Sequence, residues 1–385
     1  MEYAQLNLRH LAAVAKIAEL GSINAATASV NLTQPAITQA LARLEEQLGL
    51  PLFERHHDGM VPTPAARLLI VRIEAALAHI SSPHVTISRL RAFLALADAG
   101  SYAGASIQTG LSLPSLHRAI SDLSLALRRS LVRRRGRTVA LTAAGFDLAR
   151  SLRLARVELK AGLAEIEALK GKETRTITIG AMPLSRARIL PATVTGFMRR
   201  HPEVKLAIVE GSRAELVEPL RNGTIDLMVG ALRLPLDEDD LMQKPLFDDL
   251  PAVIGRRGHP LAGRDVSKED LAGYAWAMPG RGAPLRTSWE RFFTCTDGNL
   301  PRVPIESGSV MMIRQILIDS DFLTMLSPDQ LIVELEAGWL EVILSLPAEL
   351  GRTIGVTTRK SWMPSQVHRD FLEELDLQSK PAPEC

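Results

Sequence analysis

The sequence predicts a multidomain chain: two copies of a small, all-α-rich domain followed by an α/β region. Three observations carry that prediction. A length of 385 residues exceeds what one hydrophobic core usually serves. The chain matches itself without gaps at an offset of 79 residues, and after Lys172-Glu173 the helical periodicity gives way to alternating strands and helices. Apolar residues at 46% and charged residues at 23% exclude disordered and collagen-like classes. Two cysteines, Cys295 and Cys385, provide neither a disulfide framework nor a cysteine metal cluster. The opening MEYAQLNLRH is no signal peptide and no apolar run is long enough to span a membrane, so a cytoplasmic location is expected.

At the offset of 79, Leu11 falls on Leu90, Gly21-Ser22 on Gly100-Ser101, Ala26 on Ala105, Pro35 on Pro114, Leu44 on Leu123, Leu52 on Leu131 and Thr63 on Thr142. Two tandem copies therefore cover about 6–80 and 85–165. The net charge of +2 divides unevenly: −1 over residues 1–83, +9 over 84–172 and −6 over 173–385. Such a basic middle segment suits a polyanion, although a solvated basic face has the same signature.

Each copy repeats one local grammar. Leu8, Leu11, Val14 and Ile17 recur at helical spacing up to Gly21, and Ser22 caps a short helix containing Asn24. Thr33 is the expected cap of QPAITQALARLEEQLG, whose Pro35 suits a first turn and whose Gly49 closes the helix. Gln34, Thr38, Gln39 and Arg43 line the polar side of that helix. A helix-turn-helix places such residues in a major groove, where Gln reads adenine edges; an ordinary helical hairpin has the same spacing. Leu52 and Phe53, then Arg55, a polar turn and a short return form a wing, followed by a long helix from near Thr63.

The run GSINAATASVNLTQPAITQALARLEEQLGLPLFERHHDGMVPT over 21–63 closely resembles the winged helix-turn-helix of LysR-type transcriptional regulators. That resemblance implies two winged helix-turn-helix domains, 1–83 and 84–172, then a two-lobed, periplasmic-binding-protein-like effector domain over 173–385. It further implies lobe one at about 175–255 plus 345–378, and lobe two at about 256–344. The expected function is sequence-specific promoter binding modulated by a small organic effector, a carboxylate or catabolic intermediate, without a cofactor. The expected assembly is a homodimer or homotetramer, with RNA polymerase as a further partner and no membrane association.

Family members carry one such head, so the second copy is a departure. Its scaffold persists in GSYAGAS, LSLPSLHRAISDLSLAL and LVRRRGRTVALTAAG, with Ser101, Ser112, Pro114 and Ser115 at capping or contact positions. Its reading residues change: Leu113 replaces Gln34, His117 replaces Thr38, Arg118 replaces Gln39, and Ser124 replaces Glu45. Its wing instead carries Arg133, Arg134, Arg135 and Arg137. Phosphate contacts supply affinity and base contacts supply sequence information, so copy one is expected to read and copy two to hold. The helix after copy two runs from Ala143 through Leu169, long enough to pair with another helix. Pairing with the helix after copy one would mimic a family dimer inside one chain; pairing between chains is the alternative.

In the α/β region a strand begins at Thr176, and a parallel sheet is expected. Candidate effector contacts lie where strands end. They are Pro183, Leu184, Ser185 and Arg186; Glu210, Gly211 and Ser212; Ala231, Leu232 and Arg233; Pro279; and Ser309 with Val310. Ser185 and Ser309 also suit simple helix caps. No phosphate loop, HExxH or GxSxG motif points to an enzyme, and His56-His57 lacks further ligands at zinc-like spacing. A ligand-independent architectural DNA binder and an enzyme fused to DNA-binding domains are the competing classes.

Overall fold

The structure is a computed structural model describing residues 3–57, 59–80, 82–135, 138–172, 176–233, 235–236, 238–294 and 300–379, the side chains of Arg134 and Arg135 excepted. Its contacts form two compact units that part near Thr176.

In the first unit, copy one contains α1 (Leu8–Leu20), α2 (Ile23–Val30), α3 (Gln34–Leu48), β1 (Phe53–His56), β2 (Gly59–Pro62) and α4 (Pro64–Ala78). Copy two contains α5 (Ile87–Ala99), α6 (Tyr102–Thr109), α7 (Leu113–Leu127), β3 (Val132–Arg135), β4 (Thr138–Leu141) and α8 (Ala143–Leu169). Every element of copy two starts 79 residues after its counterpart. The reason is local chemistry held in common. The Ser22 hydroxyl accepts from the Ala25 amide and the Ser101 hydroxyl from the Gly104 amide, at 3.0 and 3.1 Å. Thr63 and Thr142 cap α4 and α8 in the same way. Gly21 and Gly100 end α1 and α5 at φ 70° and 61°, a left-handed geometry that glycine adopts without Cβ strain. The carbonyls of those two glycines then accept from the Met60 and Val139 amides, tying each wing to its own first helix.

Both copies share one continuous core. Leu11, Ile17, Ile37 and Leu52 of copy one and Leu90, Phe93, Leu116 and Leu131 of copy two are buried in it, together with Leu69 and Ile73 of α4 and Leu159 and Ile166 of α8. Each such side chain contributes about 1.5–3 kcal/mol by leaving water. The linker helices α4 and α8 thus pack on each other inside one chain.

The second unit opens with β5 (Thr176–Ala181), α9 (Ile189–Arg200), β6 (Lys205–Glu210), α10 (Arg213–Arg221), β7 (Leu227–Ala231) and β8 (Leu241–Asp249). The chain then crosses to β9 (Ala252–Arg256), α11 (Lys268–Ala272), β10 (Ala277–Met278), α12 (Pro284–Thr294), β11 (Ile305–Glu306), α13 (Val310–Ile318), β12 (Thr324–Leu326), α14 (Ile332–Glu336) and β13 (Leu340–Ser345). It returns through β14 (Arg352–Arg359) and α15 (Gln366–Gln378). The first lobe is a sheet ordered β6-β5-β7-β14-β8; the second is built on β12-β9-β13.

Two expectations are corrected here. The sheet of the first lobe is mixed, because β14 re-enters antiparallel to both β7 and β8; the helix-crossover grammar of 176–231 says nothing about a strand that arrives from another lobe. The lobe boundaries also move. β9 pairs with β12 and β13, so the first crossing follows Asp249 rather than residue 255, and the return begins near Arg352 rather than 345. Asp249 is buried between the two crossings, where it takes hydrogen bonds from Ser327 and from Arg352 at 2.5 and 2.8 Å.

Candidate nucleic-acid interface and ligand cleft

The polar face of α3 in copy one is exposed. Gln34, Pro35, Gln39 and Arg43 are exposed there, Asn24 is exposed on α2, and Arg55 on β1. Thr38 is half-buried and donates its hydroxyl to the Gln34 carbonyl at 3.0 Å. Thr33 occupies the cap position of α3, but its side chain makes no cap bond, contrary to expectation. The wing of copy one is anchored from the far end of the same helix: the Glu45 carboxylate accepts from the Leu52 and Phe53 amides at 2.7 and 3.3 Å. The exposed start of α3 and the wing are therefore fixed to one helix.

Copy two presents a different surface. Ser112 caps α7 through the Ser115 amide, and the two hydroxyls lie 2.8 Å apart. Pro114, Ser115 and Arg118 are exposed, and His117 stacks on Tyr102 with ring centroids 3.7 Å apart. Arg133 is exposed on β3. Arg134 and Arg135 belong to that strand by backbone, while their side chains, and Arg137 altogether, lie outside the described residues.

A second difference lies in the counterparts of His10 and Arg43. Burial, and then the charge of Arg43, push the His10 imidazole below its ordinary range. In copy two these positions hold Arg89 and Asp122, which form an ion pair at 3.2 Å. Between the heads, Arg72 of α4 is buried with Glu158 and Glu165 of α8. Its guanidinium meets Glu158 at 2.8 Å and grips Glu165 through two bonds, at 2.7 and 3.3 Å. Burial alone would lower the arginine's pKa; its bonds to Glu165 and Glu158 outweigh that and raise it.

Within the second unit, a cavity of about 600 Å³ opens between the lobes, lined by Pro183, Arg186, Ala187 and Glu210 on one side and Gly308, Ser309, Val310, Met311 and Gln330 on the other. Arg186 pairs with Glu210. Arg188 reaches Asp329 of the other lobe at 2.9 Å. Ser309 caps α13 through the Met312 amide at 3.3 Å; the Val310 and Met311 amides, at the helix start, have no intrahelical acceptor. Gln330 is 9% exposed, and its side-chain amide oxygen has no hydrogen-bond partner among the described residues. Sequence reasoning missed Gln330 because a glutamine two residues into a Pro-initiated turn carries no motif.

Of the candidate effector residues, the fold brings together Pro183, Arg186, Ser309 and Val310, with Glu210. Ser185 is a correction: it is fully buried, and its hydroxyl donates to the Met182 carbonyl at 2.8 Å, closing its own turn instead of facing a ligand. Leu184 is likewise buried. The amide and hydroxyl of Ser212 both donate to Glu215, and the Gly211 amide donates to Ala181. Ala231 is paired with Ile354 at the end of β7, Arg233 is exposed beyond it, and Pro279 follows β10. Leu232 lines a separate cavity of about 540 Å³ with Asp249 and Arg352. Among the described residues no cluster of histidine, cysteine or acidic side chains is arranged to hold a metal, and no helix is long and apolar enough to cross a membrane.

Comparison with known proteins places these features. A profile described as "LysR substrate binding domain" matches residues 170–378, and one described as "Bacterial regulatory helix-turn-helix protein, lysR family" matches twice, at 8–67 and 87–146. The HTH-type transcriptional regulator GalR of Pseudomonas putida is 31% identical over 373 residues, 93% of this chain and 94% of its own. The SDS degradation transcriptional activation protein of a Pseudomonas species is 29% identical over 77% of this chain and 98% of its own, so nearly all of that relative aligns to only part of this one. The crystal structure of ArgP from Mycobacterium tuberculosis matches with a TM-score of 0.61 at 17% identity, covering 76% of this chain and 96% of that one, which shows the fold.

Proposed function

This chain belongs to the LysR-type family of DNA-binding transcriptional regulators, and from that premise we propose that its two heads divide the work on DNA while the cleft between the lobes takes a small organic acid. The observation that carries the ligand assignment is the pairing of unlike groups in one cavity. Free amides at the start of α13 and the Arg186 guanidinium attract a carboxylate, while the unpartnered oxygen of Gln330 calls for a hydrogen-bond donor. A small carboxylic acid bearing a hydroxyl or amine supplies both. Its carboxylate would compete with Glu210 for Arg186, and the Arg188–Asp329 contact would tighten as the lobes close over it.

Closure acts as a population shift: the acid binds the closed form better, and the closed form holds the DNA-reading heads differently. On DNA, Gln34, Gln39 and Arg43 of copy one contact bases, with Ser22, Asn24, Thr33, Pro35, Thr38 and Arg55 beside them. Arg118 and Arg133 of copy two contact phosphates. The regulator works in the cytoplasm as a dimer or tetramer, with RNA polymerase as its downstream partner.

Thermal melting of the full chain against a panel of small hydroxy and amino acids tests the ligand assignment. A bound acid raises the midpoint by mass action. The shift is expected to vanish in Gln330→Met and to persist in Arg233→Ala, which lies outside the cavity. If no acid in the panel moves the midpoint, the ligand-independent architectural reading takes its place.

A further inference from the structure

The 79-residue offset exposes an asymmetry in how the linker helices can pair. Carried across it, Arg72 of α4 falls on Ser151 of α8, while Glu158 and Glu165 fall back on His79 and Thr86. α4 ends at Ala78, so neither of those last positions lies within it. α4 therefore carries the guanidinium without the carboxylates, and α8 the carboxylates without the guanidinium. The two sets meet in the interior, with Arg72 and Glu158 each 5% exposed and Glu165 8%. Beside them Gly162 permits the close approach, since a Cβ there would lie 3.0 Å from the Arg72 Cβ and 3.1 Å from Leu69 Cδ1.

We infer that the buried Arg72–Glu158–Glu165 cluster commits α4 to α8 of the same chain, so that one chain by itself holds the two unlike heads that a DNA site with two unequal halves requires. An α8–α8 pair in this geometry sets four buried carboxylates against two copies of Ser151. An α4–α4 pair buries two guanidiniums opposite the helix ends. Each leaves interior charge uncompensated, which proteins tolerate poorly. The unlike pair gives every buried charge an opposite partner and leaves an excess of one carboxylate, the smallest imbalance of the three. The short connection from α4 to copy two, residues 79–86, favours closure within the chain, because a partner tethered by so few residues is present at high effective concentration. The division of labour between heads proposed above is a separate claim; the pairing stands or falls on the linker helices alone.

A charge-reversal test in cis and in trans decides the matter with the full chain. Arg72→Glu alone and Glu158→Arg with Glu165→Arg are each expected to lower the melting midpoint by several degrees. Uniting all three changes in one chain should recover most of the loss, whereas co-expressing the two defective chains should recover none. Recovery on co-expression would show that α4 pairs with the α8 of another chain and would overturn the inference, as would single reversals without effect. Should the reversed chains fail to fold, a second measurement keeps the native cluster intact. Amide hydrogen exchange of α4 is followed in the unsubstituted chain as it is diluted. Protection of α4 that does not change with dilution supports the inference, and protection that is lost as chains separate refutes it.

Discussion

The two heads are one domain written twice, and their differences separate the residues that make a winged head from those left free to vary. What both copies keep is the frame: serine caps on α2 and α6, threonine caps on α4 and α8, and a wing hung from a glycine carbonyl. Copy two differs at the far end of its third helix. Its Ser124 is too short to reach the wing amides that Glu45 holds in copy one, and its third helix ends on Arg128, a non-glycine at φ 52°, where copy one has Gly49 at 67°. It has gained cations instead. A frame survives duplication because core and caps are each needed for folding; the surface is free to take a second task.

The largest expected effect falls on the wing anchor. Glu45→Ala leaves two half-buried amides without their charged acceptor and should cost about 2 kcal/mol, read as an earlier melting transition. The reciprocal Ser124→Glu should stabilise copy two, and equal insensitivity of both heads would break the comparison. Gln34→Ala comes next, with a loss of about 1–2 kcal/mol of discrimination between sites, measured by competition between a selected site and unrelated duplex. Arg133→Ala should instead weaken binding to every sequence alike and flatten its dependence on salt concentration. Identical behaviour of the two variants would remove the division into reader and holder.

Arg128→Gly relieves a left-handed backbone but gives the unfolded chain more freedom, for a net gain of about 0.5–1 kcal/mol in chemical denaturation. The smallest effect separates the heads by pH. His10 is held below its ordinary pKa in the folded state, so its stabilising contribution is complete above the unfolded value and is lost as pH falls from there toward the folded one. Copy two, with Arg89 and Asp122 at these positions, has no such group. Hydrogen exchange on mild acidification should therefore quicken in α1 before α5. His10→Gln should abolish the difference.

How much of this was legible in advance differs by region. The helices and wings of both heads follow from short-range rules, as do their caps apart from Thr33 and Arg128, because periodicity, Ser or Thr at a cap and Gly at a C-terminus act within a few residues. The cleft was half legible. Arg186 and Ser309 sit at element ends, as the rule for α/β sheets anticipates, while Ser185 fits that rule equally well and proves to be buried. Gln330 gave no signal, since what distinguishes it is a side-chain oxygen left without a partner among the described residues.

By itself the sequence determined the duplication, the form of each head, the family and the uneven charge, for all of these are written in residue identity and near-neighbour spacing. Tertiary structure alone decided that α4 takes α8, that Arg72 finds carboxylates 86 and 93 residues away, that β14 returns antiparallel, and which strand ends face the cavity. Those facts depend on which apolar faces meet. A chain can state each face locally, but it has no local means of stating the partner.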